Sequence, residues 1–197
     1  MKKIIFASKN QGKVNEVKAM LSSFDVEVLS LNDVGYDTEI VEDSGTFVGN
    51  ARIKAETIAK EFGLFTIADD SGLEIESLNQ EPGVDTAIYA GVPKSDEKNM
   101  AKVINKMLGI PECKRGATFK CVLIAIDKQG NEYIAEGECK GRILTEKKGS
   151  NGHGYDPIFF VPQLNLSMAE MTSEQKNEIS HRRRAFDKLS TILSEIL

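Results

Sequence analysis

The sequence predicts one domain of mixed α/β class spanning residues 1–197, and three observations support this prediction. Short apolar runs alternate with segments whose apolar residues recur every three or four positions, the spacing of a helix that faces a core. A β-branched segment, 117–127, is followed by a turn and a second strand-like segment, 132–144. No repeat, low-complexity tract or linker interrupts the chain. We therefore expect helices packed on a sheet, with the hairpin as a second lobe.

Strands and helices alternate in the first half of the chain. Residues 3–7 form a short, mostly apolar run that predicts the first strand, and residues 26–31 and 64–68 are two further predicted strands. The first predicted helix carries the apolar residues Val14, Val17 and Leu21. Thr46 is a suitable N-cap for a second helix. Its apolar face consists of Phe47, Ala51, Ala55, Ile58 and Phe62.

Two helices and the hairpin are predicted in the second half. An amphipathic stripe of Met100, Val103, Ile104, Met107 and Leu108 ends at Gly109 and Pro111. The hairpin strands turn within 128–131. Thr172 and Gln175 form a capping box before the last helix. The buried face of that helix consists of Ala185, Leu189, Ile192, Leu193 and Ile196.

Composition excludes several classes of protein. With 41% hydrophobic and 28% charged residues the chain is typical of a folded domain, and its net charge of −5 argues against a general nucleic-acid-coating protein. No apolar run approaches the roughly 20 residues that cross a bilayer, and the short N-terminal run lacks the features of a secretion signal. Three unevenly spaced cysteines and two histidines fit neither a disulfide framework nor a zinc site. We expect a soluble, cytoplasmic protein with no nucleic-acid or membrane partner.

The first candidate site lies between the first strand and the first helix, where backbone N–H groups and the helix dipole favour an anion. Its residues are Ser8, Lys9, Asn10, Gln11, Gly12 and Lys13. It differs from a Walker A loop, since the first Gly is absent and Val14 follows the lysine. Phosphate is the expected ligand, and a plain polar turn is the alternative.

The second candidate site is the acidic segment Asp69-Asp70-Ser71-Gly72, which follows the strand predicted at 64–68. Adjacent carboxylates can hold a hard cation and position water. Asp, Ser and Gly also favour turns, so a structural turn is the alternative. Glu42 is a further acid before the second helix, where capping or solvation would also explain it.

The third candidate site is the glycine-rich segment 149–157, whose backbone can approach a ligand closely and whose rings, His153 and Tyr155, could stack on a base. A flexible connection is the alternative. Lys176 and the basic segment 180–184 follow, and their donors could bind phosphate or a base carbonyl. A solvated helix face would also explain these charges.

Taken in order, these segments resemble the family of pyrophosphatases for non-standard purine nucleotides, also called inosine triphosphatase or Ham1-like proteins. The resemblance runs nearly end to end. It rests on Ser8-x-Asn10-x-x-Lys13, Thr46-Phe47-x-x-Asn50-Ala51, Ala68-Asp69-Asp70-Ser71-Gly72-Leu73, Gly154-Tyr155-Asp156-Pro157-Ile158-Phe159 and Ser180-His181-Arg182. Each motif is weak alone, but their order is specific.

The resemblance implies an elongated central sheet flanked by helices, two lobes around a substrate cleft, and a homodimer. It implies that Glu42 and Asp70 hold Mg²⁺ and that Asp70 is the catalytic base. The implied substrate-binding residues are the six residues of 8–13, Ser71, His153, Gly154, Tyr155, Asp156, Lys176, His181 and Arg182. Asp69 and Lys54 are implied helpers.

The implied reaction is magnesium-dependent hydrolysis of inosine, deoxyinosine or xanthosine triphosphate to the monophosphate and pyrophosphate, which cleanses the nucleotide pool. Three residues depart from the family pattern: His153 replaces a usual Phe, Asp85 a usual Tyr and Ile88 a usual Arg. These departures bear on the substrate range. The alternatives are a house-cleaning pyrophosphatase for other modified nucleotides and a nucleotide-binding module without hydrolysis.

Overall fold

A computed structural model describes residues 1–196. Within this range the strands are β1 (Lys2–Phe6), β2 (Val26–Ser30), β3 (Phe65–Ile75), β4 (Pro82–Gly83), β5 (Gly116–Ile126), β6 (Glu132–Ile143), β7 (Phe159–Val161) and β8 (Leu166–Ser167). The α-helices are α1 (Gln11–Met20), α2 (Phe47–Phe62), α3 (Asp96–Lys106), α4 (Ser173–Ile179) and α5 (His181–Ile196).

The strands form one mixed, eight-stranded sheet in the order β2-β1-β3-β5-β6-β7-β8, with β4 paired to β3. Strands β2, β1 and β3 run parallel, as expected when helices connect them, whereas β6, β7 and β8 pair antiparallel. A turn at Gly130, whose φ is +87°, joins β5 to β6. The predicted α/β class with a sheet flanked by helices is confirmed.

The chain divides into two compact units. Within the described residues, unit 1 comprises 1–70, 121–136 and 184–196, and unit 2 comprises 71–120 and 137–183. The core of unit 1 gathers apolar residues of β1, α1, β3, β5 and α5 around Phe6 and Phe186. The core of unit 2 gathers those of α3, β6 and β7 around Phe159. Strands β5 and β6 contribute residues to both units, so the expectation that their hairpin forms a second lobe by itself is wrong.

Strand β3 is longer than predicted, and this changes the setting of the acidic segment. The prediction ended the strand at residue 68, with a turn as the alternative for Asp69 to Gly72, but β3 continues to Ile75. Its first part pairs with β1 and its last part with β4. Pairing to neighbours satisfies the backbone and overrides the weak strand propensity of Asp, Ser and Gly. The turn interpretation of this segment is therefore wrong.

Two helix predictions also need correction. Helix α3 ends at Lys106, and Leu108, predicted to belong to its buried stripe, is 74% exposed. The single predicted last helix is two helices, α4 and α5, separated by Ser180 in an extended conformation with ψ 141°. The Ser180 hydroxyl accepts a hydrogen bond from the Arg183 N–H and so caps the start of α5. None of the α4 residues is buried, so packing does not hold the two helices in line.

Candidate active site

The Ser8 to Lys13 segment connects β1 to α1 and is shaped by its own side chains. Asn10 is the N-cap of α1, and its side chain accepts a hydrogen bond from the Lys13 N–H at 3.2 Å. The Ser8 hydroxyl accepts one from the Asn10 N–H at 3.1 Å. Gly12 lies close to this cap, since a Cβ there would come within 3.2 Å of Asn10 Oδ1. The start of α1 therefore presents backbone N–H groups and the positive end of its dipole, the setting in which phosphate binds.

Two side chains of this segment make exposed contacts. Lys9 Nζ lies 3.7 Å from Asp37 Oδ1, and Gln11 Nε2 donates to Asn15 Oδ1 at 2.8 Å. These contacts are at the surface, so both side chains can be redirected at little cost.

Lys13 is held by a buried carboxylate. Its Nζ donates to Asp69 Oδ2 at 2.7 Å, and Asp69 is 2% exposed. Removal of one partner of such a pair leaves a buried charge uncompensated. Asp69 therefore fixes the position of the Lys13 ammonium, and this carboxylate does more than shape the backbone.

Asp70 belongs to a second charged group on the opposite face of the sheet, because successive side chains of a strand alternate. Lys54 of α2 donates to Glu42 Oε2 at 2.7 Å and lies 3.8 Å from Asp70 Oδ1. The Lys54 and Asp70 side chains are 13% and 14% exposed, and that of Glu42 is 38% exposed. One ammonium thus faces two carboxylates, which leaves this group with a net negative charge.

Burial raises the pKa of Asp70 to about 6. This value already includes the opposing effect of Lys54, the added raising effect of the Glu42 carboxylate, a lowering hydrogen bond from Asn50 and a small raising effect of Asp69. A carboxyl with a pKa near neutrality can accept a proton from water at physiological pH and release it again.

Asn50 is a site residue to which the sequence analysis assigned no role. It is 4% exposed, and its Oδ1 accepts hydrogen bonds from the Ser44 hydroxyl at 2.8 Å and from the Ser44 N–H at 3.2 Å. Its amide also hydrogen-bonds Asp70. Asn50 thereby links the segment that carries Glu42 to the strand that carries Asp70. A buried Asn on the apolar face of a predicted helix was the available signal.

The donor set of Glu42 and Asp70 suits a hard divalent cation. Magnesium prefers carboxylate oxygen and is often held by one or two carboxylates together with water and phosphate. Throughout residues 1–196 no group of three or more His, Cys, Asp or Glu is arranged to hold a metal by itself. The net negative charge around Lys54 and the raised pKa of Asp70 both favour an added cation. A site completed by substrate phosphate therefore fits these residues.

Ser71 and the glycine-rich segment belong to unit 2. Ser71 follows Asp70 within β3 and is half-buried. Asp156 is 3% exposed, and its Oδ2 accepts from the His153 N–H at 2.9 Å and from Lys176 Nζ at 2.5 Å. A Cβ at Gly152 would come within 2.1 Å of the same oxygen, and the φ of Gly152 is +78°. Only glycine fits there.

The rings of this segment differ in exposure. His153 is exposed, whereas Tyr155 is 3% exposed and belongs to the core of unit 2. The Tyr155 hydroxyl donates to the Thr86 carbonyl at 2.8 Å. Burial, together with nearby Tyr89 and Asp96, raises the pKa of the Tyr155 phenol well above its usual range. In this structure Tyr155 shapes the segment from within, and His153 is the ring that faces outward.

The basic residues of the last segment are arranged in two ways. The His181 ring stacks on Phe119 with 5.2 Å between centroids and 14° between planes. His181 and Arg182 are half-buried at the start of α5, whereas Arg183 and Arg184 are exposed. The two residues that the resemblance assigns to the substrate are therefore less exposed than the two arginines that follow them. Lys176 is joined to Asp156, as described above.

The fold and these residues define an α/β protein with a phosphate-suited helix start, a carboxylate pair suited to a divalent cation, and a glycine-rich segment fixed by buried charges. The family model described as "Ham1 family" matches residues 4–192. This chain belongs to the Ham1 family.

Individual relatives match over their full length. A dITP/XTP pyrophosphatase of Bacillus licheniformis is 47% identical, over 99% of this chain and 100% of that protein. One from Clostridium perfringens is 44% identical over all of both. The solved structure of the Staphylococcus aureus Ham1 protein superposes with a TM-score of 0.94 at 41% identity, over 100% of both chains. A Coxiella burnetii HAM1 protein superposes with a TM-score of 0.93 at 38% identity, over 99% of this chain and 100% of the other.

Proposed function

We propose that this chain hydrolyses non-standard purine nucleoside triphosphates, of the class of dITP and XTP, to the nucleoside monophosphate and pyrophosphate. The observation that carries the proposal is the group of Glu42, Lys54 and Asp70, in which a buried carboxyl with a pKa near 6 lies beside a second carboxylate. The proposal draws further support from relatives named dITP/XTP pyrophosphatase that match over their full length.

In the proposed reaction a water oxygen bonds to the α-phosphorus and the bond from that phosphorus to the bridging oxygen breaks. Pyrophosphate leaves with the bond's electron pair, and no covalent enzyme intermediate forms. Asp70 orients the water and takes its proton, because its raised pKa matches proton transfer near neutral pH. Glu42 and Asp70 would hold Mg²⁺, which when bound supplies positive charge to the phosphate oxygens.

Lys13 and the N-terminus of α1 supply the positive charge that stabilises the phosphate groups. The Lys13 ammonium is pre-positioned by Asp69, so it need not be reorganised as charge develops on the leaving pyrophosphate. The α1 N-terminus provides further N–H donors for phosphate oxygens, with Ser8 and Asn10 maintaining the turn. Carboxylates and cations thus have separate tasks.

In this proposal, side chains of unit 2 select the purine base. A hypoxanthine or xanthine base carries a carbonyl at position 6 where adenine carries an amino group, so a donor there favours the former. Arg182 and His181 at the start of α5 supply side-chain donors, and Lys176 with Asp156 maintains the segment that carries His153. With adenine, the donor of the pocket would face an amino group and neither would find an acceptor. A desolvated pocket therefore disfavours adenine strongly.

Two alternatives make different predictions. A house-cleaning pyrophosphatase for other modified nucleotides is favoured by one observation: Ile88, at which the resemblance leads us to expect Arg, is 45% exposed and carries no charge. A binding module without hydrolysis is disfavoured, because such a module needs neither a raised carboxyl pKa nor a paired carboxylate.

We also propose the homodimer and the cytoplasmic location that the resemblance implies. Within the described residues, no helix has the length and apolar character to span a bilayer.

The test is pyrophosphate release from the purified chain. Deoxyinosine, xanthosine, adenosine and guanosine triphosphates are compared, each with and without Mg²⁺. The proposal predicts release from the first two substrates at least tenfold faster than from adenosine triphosphate, which lacks the carbonyl at position 6, and only with the metal. Guanine shares that carbonyl, so the guanosine nucleotide tests selection at other positions of the base. Equal rates on all four would contradict the base preference, and binding without release would support the module. Sedimentation at micromolar concentration tests the dimer.

A further inference from the structure

The peptide between His153 and Gly154 is held at both of its polar ends. Its N–H, that of Gly154, donates to Asp96 Oδ2 at 2.8 Å. Its carbonyl, that of His153, accepts a hydrogen bond from the Asp156 N–H at 3.3 Å. All of these residues lie in unit 2. Two hydrogen bonds therefore fix the plane of this peptide, which adjoins the Cα atom that carries the exposed His153 side chain.

Asp96 is well placed to fix another segment because it is itself immobilised. It is the first residue of α3, directly after the N-cap Ser95, whose hydroxyl accepts from the Lys98 N–H at 3.3 Å. One turn later Asn99 is 1% exposed, accepts from the Ala90 N–H at 2.7 Å and donates to the Ala87 carbonyl at 2.9 Å. The start of α3 is thus capped by Ser95 and joined to the segment 87–90 through Asn99, one turn after Asp96.

Helix stability alone does not require the contact from Asp96 to Gly154. Ser95 already caps α3, and Glu97 also supplies a negative charge in the first turn, where it pairs with Lys147 at 2.7 Å. Gly154, in contrast, needs an external partner. Its φ is +62°, and a Cβ there would meet nothing within 4 Å, so the glycine itself does not restrict the segment.

We propose that Asp96 is a positioning residue for base selection, acting through the His153–Gly154 peptide. The inference rests on the proposed function and extends it. Since carboxylates occupy the N–H groups of both His153 and Gly154, neither is available to a base carbonyl, and the discriminating donor is a side chain such as that of Arg182. Asp96 keeps the His153 ring in the position at which that donor can act.

The experiment compares Asp96→Ala, Asp96→Asn and the control Glu97→Ala. Alanine removes the acceptor, asparagine retains an oxygen that can accept the same bond, and the control removes a first-turn acid of the same helix. Two quantities are measured. One is the ratio of kcat/KM for dITP to that for dATP, and the other is the hydrogen-exchange rate of the Gly154 amide by NMR.

We expect Asp96→Ala to lower the dITP/dATP ratio about tenfold, mainly by raising KM for dITP, because a hydrogen bond to a charged acceptor is lost. The Gly154 amide should exchange at least tenfold faster. Asp96→Asn should recover most of both quantities, and Glu97→Ala should change neither by more than about twofold.

The outcomes separate the two proposals. If the wild-type chain prefers dITP and Asp96→Ala keeps that preference, the role of Asp96 is wrong and the proposed function stands. If Asp96→Ala and Glu97→Ala lower the ratio equally, Asp96 acts only through the helix and the inference is again overturned. If the wild-type chain releases no pyrophosphate from either nucleotide, the proposed function fails and the inference fails with it.

Discussion

Asp70→Asn should abolish turnover and at the same time stabilise the fold. Burial and two neighbouring carboxylates raise the pKa of Asp70 from 3.8 to about 6. A shift of roughly two pKa units corresponds to about 3 kcal/mol, since one unit is about 1.4 kcal/mol. This is the free energy by which ionised Asp70 destabilises the folded chain without metal, and asparagine removes the charge while keeping the size.

The sign of this contribution fixes its dependence on pH. The folded chain holds the Asp70 proton more tightly than the unfolded chain, so ionisation costs stability as pH rises from about 4 to above 6. Below pH 3.8 both states are protonated and this contribution vanishes. We therefore expect Asp70→Asn to be more stable than wild type by up to about 3 kcal/mol at pH 8, and by little at pH 3.5.

Urea unfolding at the two pH values, without Mg²⁺, measures the difference. Pyrophosphate release at saturating dITP and Mg²⁺ measures turnover, which we expect to fall at least a thousandfold because the variant cannot accept a proton. Asp43→Asn, at an exposed carboxylate beside Glu42, is the matched control and should change neither quantity appreciably. A less stable Asp70→Asn variant at pH 8, or one with wild-type kcat, would refute this reasoning.

Three further predictions concern other residues. Asp69→Asn should lower kcat by about tenfold or more, because it releases the Lys13 ammonium from a buried partner; an unchanged kcat measured by pyrophosphate release would show that this pair is only structural. His153→Phe should lower KM for dITP or leave it unchanged, since phenyl stacks more extensively than imidazole, and a large loss of kcat at constant KM would exclude stacking. Cys121 and Cys139 lie on the neighbouring strands β5 and β6 and should remain thiols, because the proposed cytoplasmic location is reducing; a mass two hydrogens lower that reverts on reduction would contradict this.

Local signals in the sequence predicted the elements that depend on local chemistry. Thr46 accepts a hydrogen bond from the Gly49 N–H and caps α2 where predicted, and Thr172 with Gln175 forms the expected capping box. The hairpin also turns at Gly130 as predicted. Each of these features depends on residues that are close in sequence, so it can be predicted from the sequence alone.

The features that the sequence did not predict depend on distant partners. Strand β3 continues through Asp69 and Asp70 because neighbouring strands pair with it, and no local pattern shows this pairing. The same alternation along β3 turns these two carboxylates to opposite faces, toward Lys13 and Lys54 respectively. A structural turn, the alternative for this segment, is therefore excluded, and the two carboxylates contact different lysines.

The sequence predicted which residues form the proposed site, but it did not predict the residues that hold them in position. The resemblance identified Glu42 and Asp70 together, and the structure places Lys54 in contact range of both. Asn50 and Asp96 were assigned no role, because an isolated Asn in a helix and an Asp at a helix start have common structural explanations. Their partners, Asp70 and Gly154, are distant in sequence, so only the folded chain reveals these contacts.

The position of water attack tests the central claim most directly. The chain is incubated with dITP and Mg²⁺ in water enriched in ¹⁸O, and the products are examined by ³¹P NMR and mass spectrometry. The account predicts equal amounts of deoxyinosine monophosphate and pyrophosphate, with one ¹⁸O in the monophosphate and none in the pyrophosphate. Release of inorganic phosphate as the first product, or ¹⁸O in the pyrophosphate, would contradict attack at the α-phosphorus and with it the proposed function.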